Sequence, residues 1–289
     1  MIKTGLTLTP ATGIDLVRLL LDHPDIDLLW VATDGAHHVN DLYDELTGEA
    51  PVIPETPDFD TIDLYIGPAD GKTAFRMGVS GAPHLKAVYT GGQVPETAVL
   101  GVAEYNRKAL VRGAREACVP DALTLLTSLA LMPLAKNLMV RPEITGTALL
   151  PASVVAMPGT PLHTEAFGHA AAILAELQSS CNARYEVVPV TGSDGFSAVT
   201  LGMEQSMPLR DIVPLYRDFY DDHRHVVVLE DRPVTRAMTA GTNKTVIALR
   251  HDGSKLWVTA ACDARFKLSA GLPVHLLNLL FGLDECTGL

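Results

Sequence analysis

The chain lacks several features, and each absence excludes something. No uninterrupted apolar stretch is long enough to cross a bilayer, so no membrane partner is expected. The four cysteines, Cys118, Cys181, Cys262 and Cys286, are scattered and form no pair at metal-ligating spacing. No metal is therefore expected. Basic residues are in deficit: 22 Lys and Arg stand against 34 Asp and Glu, for a net charge of −12. A nucleic-acid surface needs a basic field, so nucleic-acid binding is excluded. Anionic ligands also find no global attraction and would need a local basic patch or a helix N-terminus. The opening residues Met1–Leu6 carry no signal-peptide pattern, so a cytoplasmic chain with reduced cysteines is expected.

What is present fits a packed globular protein. The 289 residues are enough for two domains, with 47% hydrophobic and 19% charged residues. Ile2–Leu8 reads as a strand, Asp15–Leu21 as a helix with an apolar stripe, and Leu28–Ala32 as a second strand. This is the opening of a βαβ unit. A dinucleotide-binding version needs a glycine-rich turn, so that the backbone can approach pyrophosphate. Here the turn is Thr7–Gly13. Only Gly13 serves, and Pro10 removes an N–H. After the second strand, Asp34 stands where such folds select a ribose. The adjacent His37 and His38 do not share a face, which favours a solvated loop over a metal pair.

Further strands are read at Ile62–Ile66 and Leu85–Tyr89, with a turn at Gly67–Gly71 and a helix-like piece at Lys72–Met77. From Ile144 the pattern shifts towards strands, which suggests a second, α+β domain. Pro208–Tyr220 is an amphipathic helix. Thr245–Leu249 and Leu256–Cys262 flank His251-Asp252-Gly253-Ser254, a hairpin signal. A last helix is read over Val274–Phe281.

The stretch that organises the rest is Val119–Asn137. Pro120 stiffens the approach, Asp121 is a good N-cap, and Leu123–Met132 is apolar on nearly every face. A nucleophile at such an entry would have its thiol pKa lowered by the exposed N–H groups and the helix dipole. Ala122 occupies that point.

This helix resembles the active-site helix of the N-acetyl-γ-glutamyl-phosphate reductases, in the aspartate-semialdehyde-dehydrogenase superfamily. That family carries Asn-Pro-Gly-Cys before an apolar helix that ends in a Leu-Leu-Pro-Leu-like turn. Aligned on Pro120 and on Leu131-Met132-Pro133-Leu134, the family cysteine falls on Ala122 and its glycine on Asp121. Glu104, Asn106 and Arg107 match the family's Gly-Leu-Pro-Glu-Leu-Asn-Arg. His169 matches the first histidine of a His-x-His pattern, with Ala171 at the second and Leu174 at its Glu. Asp263, Lys267 and Gly271 persist from a family motif whose Asn and Gln become Ala264 and Leu272. The C-terminal residues 274–289 are also close to the family. The family's Gly/Ser-rich loop is replaced by the bulkier Leu149–Ala156.

The resemblance covers nearly the whole chain and implies an α/β protein. Its parts would be an N-terminal Rossmann-like domain (1–121, completed by 267–289) and an α+β semialdehyde-dehydrogenase-type dimerisation domain (122–266). It also implies a homo-oligomer, dimer or tetramer. The losses fall on ligand-touching positions, which favours a non-catalytic relative with a binding or regulatory role and no cofactor, able to associate with an active reductase. The alternative is an active NADP-dependent reductase of arginine biosynthesis. It would use Cys118 as nucleophile, His169 as acid/base, Gly13 and Asp34 for cofactor, and Arg107 or Lys267 for substrate anion. A third reading is a small-molecule sensor using the old cleft.

Overall fold

The computed structural model describes residues 1–9, 13–33, 57–69, 84–152, 160–192, 195–230 and 232–289. Two compact units emerge: Met1–Val119 with Leu268–Leu289, and Pro120–Lys267. The α/β architecture expected from the sequence is present, with one parallel and one mixed sheet.

The first unit is built on a six-stranded parallel sheet in the order β2-β1-β3-β4-β6-β5. These strands are β1 (Ile2–Leu8), β2 (Ile26–Thr33), β3 (Leu64–Ala69), β4 (Lys86–Gly92), β5 (Val99–Leu100) and β6 (Glu116–Cys118). Helix α1 (Ile14–Asp22) buries Leu16, Val17 and Leu20, the apolar stripe read from its spacing. Chain order runs outward from β1 in both directions, so β1 and β3 flank the switch point where such sheets bind ligands. Gly5 decides how β2 sits. A Cβ there would lie 2.2 Å from the Trp30 ring, so the absence of a side chain lets the indole cross β1. Trp30, Phe59 and Tyr65 then form one aromatic cluster.

Two sequence expectations need correction in this unit. Gly67-Pro68-Ala69 was expected as a turn, yet β3 continues through it with a shift in register. Pro68 has no N–H for the ladder, and such a residue is accommodated at an irregularity. The β4 strand likewise runs on to Gly92. The helix-like piece at 72–77 lies outside the described residues.

The second unit carries a six-stranded mixed sheet, β10-β11-β12-β9-β7-β8. Its strands are β7 (Glu143–Pro151), β8 (Arg184–Gly192), β9 (Phe196–Glu204), β10 (Val226–Glu230), β11 (Thr245–Asp252) and β12 (Lys255–Asp263). The expected hairpin joins β11 to β12. Asp252 pairs with Lys255, and Gly253 sits at φ 62. Leu256, Val258, Ala260 and Cys262 face the core, while Trp257 and Thr259 alternate onto the other, more open face.

Helix α3 (Ala122–Lys136) fills the core side and is buried from Ala122 to Ala135. (Helix α2 is Ala103–Val111 in the first unit.) It packs against β12, β9, α4 (Gly168–Leu177) and α5 (Leu209–Tyr220). Pro133 stands inside α3 and has no N–H to give the Leu129 carbonyl one turn earlier. The Tyr220 hydroxyl donates to that carbonyl at 2.5 Å, and the Tyr216 hydroxyl donates to Ala130 at 2.6 Å. The amphipathic helix α5 thus repairs a gap that the proline creates.

After β12 the chain stays helical from Ala264 to Phe281. A π-helical segment, Lys267–Gly271, precedes α6 (Leu272–Phe281), so this helix begins earlier than the sequence expectation of Val274. Among the described residues no helix is long and apolar enough to cross a membrane.

The repair of α3 sets a measurable expectation. Tyr220→Phe removes the donor to a buried carbonyl and should cost about 1–3 kcal/mol of stability. Urea unfolding with an unchanged m-value would check it. No loss would mean that Leu129 is satisfied some other way.

Candidate functional site

The entry of α3 is chemically the most informative point of the chain. Any α-helix begins with unsatisfied N–H groups and a partial positive charge. Here Asp121 takes up one of them. One carboxylate oxygen accepts from the Thr124 N–H at 2.8 Å, and the other accepts from the Thr124 hydroxyl at 2.6 Å. Ala122 follows, buried, with only a methyl group to offer. One N–H of the helix end that could hold a thiolate or an oxyanion is thus bonded to the Asp121 side chain, which also places a carboxylate there. The Asp121 cap was readable from sequence. The second bond, from the Thr124 hydroxyl, was not singled out there, though the Asp-x-x-Thr spacing signals it.

Cys118 ends β6, opposite Tyr89 of β4 and Leu100 of β5. It is buried, and burial pushes its thiol above the usual value, with the Gly101 N–H opposing in part. The thiol is thereby favoured over the thiolate, the form that attacks. Cys262 is fully buried on β12 and is pushed up to about 12 by the same cause.

His169 lies in the first turn of α4 and is exposed. Arg107 and Lys267, the anion contacts expected from the resemblance, both have partners within the protein. Arg107 Nε lies 3.6 Å from Glu285, whose same oxygen lies 3.3 Å from His275 Nε2. Asn106, from the same motif, donates to the Leu100 carbonyl at 2.8 Å. Lys267 is 1% exposed, and its ammonium donates to the Asn243 carbonyl at 2.7 Å. Asp263 accepts from the N–H groups of Phe266 and Gly241. Arg107, Asn106, Lys267 and Asp263 thus bond to loops and helix ends, whereas the buried Glu104 has a carboxylate oxygen with no hydrogen-bond partner among the described residues.

At the switch point of the first unit, Gly13 caps α1 with φ 22, and among the described residues a Cβ there would lie nearest Ser269 Oγ, at 4.0 Å. The first turn of α1 has no side-chain cap, which leaves its N–H groups open, but it carries the acidic Asp15. A carboxylate at that end opposes an anionic ligand. Asp34, residues 10–12 and the second half of the loop at 149–156 lie outside the described residues. Among the described residues no group of three or more His, Cys, Asp or Glu could hold a metal ion.

Comparison with known proteins gives the chain its relatives. No family model matches. The chain is 28% identical to N-acetyl-gamma-glutamyl-phosphate reductase of Phocaeicola vulgatus, covering 100% of this chain and 98% of that one. It is 29% identical to the enzyme of the same name from Parabacteroides distasonis, covering 96% and 94%. The expected resemblance to this reductase family therefore holds over the full length. The first of these alignments spans 319 positions, so at least 30 of them (319 less 289) have no counterpart here. Among solved structures, aspartate semialdehyde dehydrogenase II from Vibrio cholerae superposes with a TM-score of 0.71 at 13% identity, over 97% of this chain and 98% of that one. At that identity the likeness concerns the fold.

The thiol environments lead to a direct expectation. In the intact chain at neutral pH, Cys118 and Cys262 should alkylate about tenfold or more slowly than the half-buried Cys181 and Cys286. Because the Cys118 pKa is raised, its rate should climb about tenfold per pH unit through the alkaline range without an early plateau. Site-resolved mass spectrometry would check this. Fast labelling of Cys118 with a plateau near neutrality would mean an activated thiolate.

Proposed function

We propose, starting from the full-length likeness to N-acetyl-gamma-glutamyl-phosphate reductases, that this chain is a non-catalytic relative with a binding or regulatory role. The observation that carries the reading is the Asp121–Thr124 pair at the mouth of α3, with Ala122 beside it. Reduction of an acyl phosphate through a thioester needs a thiolate at such a mouth, and none of the chain's four thiols occurs there. Cys118 is a buried strand-end thiol and serves packing.

The cofactor reading follows the same lines. A dinucleotide needs backbone N–H groups open to its pyrophosphate. Pro10 supplies none, and Asp15 puts a like charge at the helix end. The residues present do not fit NADP, and we propose that the chain binds none. Arg107 and Lys267 are structural in this reading, Gly13 is the N-cap of α1, and His169 is a surface residue.

Association is the retained property. Val188 and Val190 are exposed on β8, the strand at one edge of the second sheet. Apolar side chains on such an edge support self-association into a dimer or tetramer, and a related active reductase is a chemically similar partner. The setting that best fits such a chain is cytoplasmic.

Two measurements on the purified chain test these statements. NADPH at about ten times a given Kd would stabilise the fold by about 1.4 kcal/mol. We expect no thermal shift and no change in nicotinamide fluorescence. We also expect no NADPH-dependent turnover of the acyl phosphate. Saturable NADPH binding together with turnover that Cys118→Ser abolishes would establish the active alternative. Light scattering should give more than a monomer mass, and a monomer at every concentration would remove the association statement.

A further inference from the structure

The core face of the second sheet contains a polar row. Thr245 on β11, Cys262 on β12 and Ser197 on β9 stand side by side, because Cys262 pairs with Thr245 in one ladder and with Ser197 in the next. Directly opposed residues share a face, and α3 packs against all three of these strands. Each of the three residues is 0% exposed. Cys262 suits such a place, since a free cysteine packs as a small hydrophobe. The two hydroxyls do not suit it. Among the described residues neither Thr245 Oγ1 nor Ser197 Oγ has a hydrogen-bond partner.

Asn243 stands at the end of the row where β11 begins. It is 6% exposed, and its Nδ2 also lacks a partner among the described residues. Its other polar atoms are engaged. The carbonyl accepts from Lys267 Nζ at 2.7 Å, and Oδ1 lies 3.4 Å from the same ammonium. The ammonium on Oδ1 settles which end of the amide is the donor. Lys267 also acts on Cys262, where its charge opposes the rise of the thiol pKa.

A buried polar group left unbonded loses its hydration and gains nothing in return. Three such groups in one place would offset a large share of a domain's net stability. A ligand that relieves them must be small enough to be enclosed between a helix and a sheet. It must also serve hydroxyls, which donate and accept, together with an amide that only donates. Charge decides its type. The positive Lys267 is matched by the negative Asp263, which acts on the same thiol in the opposite sense, so neither a cation nor an anion is favoured. Water meets every condition.

We infer that Thr245, Ser197 and Asn243 hold internal water between α3 and the second sheet, about one or two molecules. The site lies within the second unit and is independent of the inactive-relative reading, so the NADPH result does not bear on it.

Two variants and a count of internal waters test this on the full chain. A bare buried hydroxyl gains from replacement by an apolar isostere, whereas a hydroxyl that binds water loses by it. Thr245→Val and Ser197→Ala should therefore each lower the folding equilibrium constant about threefold or more in urea unfolding. Relaxation dispersion of the water oxygen nucleus counts internal waters of long residence. Thr245→Val should remove about one, and the double variant about one or two. An unchanged or raised folding constant in either single variant would overturn the site. So would a count of internal waters that Thr245→Val leaves unchanged.

Discussion

One pair of hydrogen bonds governs the chemistry open to this chain: the Asp121 carboxylate on the N–H and hydroxyl of Thr124. A helix entry can give its positive end to a ligand or to its own side chain. An intramolecular carboxylate is present at high effective concentration and needs no binding step. It also adds a full negative charge where a thiolate or phosphate would have to develop one. The buried helix behind it fills the core, and on the proposed reading the fold keeps its centre while the entry carries no nucleophile.

Bonds within the protein recur at the other motif residues. Arg107 pairs with Glu285, which also meets His275, so the α2 motif helps hold the C-terminal segment. Lys267 reaches the Asn243 carbonyl, and Asp263 takes the N–H groups of Phe266 and Gly241. A buried ammonium is costly unless it is bonded, so Lys267 is held in place by energetics alone. Persistence of these polar residues is explained without catalysis. Their presence in a motif is weak evidence of activity once their partners are known.

Much of the fold was legible because its signals are local. The apolar spacing of α1, the all-round apolar α3 and the Gly253-Ser254 turn each specify structure within about ten residues. What was not legible depends on distant partners. Gly67-Pro68 looks like a turn until β1 and β4 are placed on either side of β3. The π segment at Lys267–Gly271 has no compositional mark, and its first residue bonds to Asn243, 24 positions away. The repair of Leu129 by Tyr220 joins residues 91 positions apart. At the candidate site the missing thiol was readable at Ala122, and the cap at Asp121.

The central claim is that Asp121 occupies the charge-stabilising end of α3, and a reporter thiol at that point would read it. The pKa of an introduced Ala122→Cys can be measured from the pH dependence of its site-resolved alkylation, with Asp121 present and with Asp121→Gly beside it. An ordinary or raised thiol pKa is expected in the single variant and a clear drop in the double variant. Equal values in the two, or a low pKa with Asp121 still in place, would contradict it.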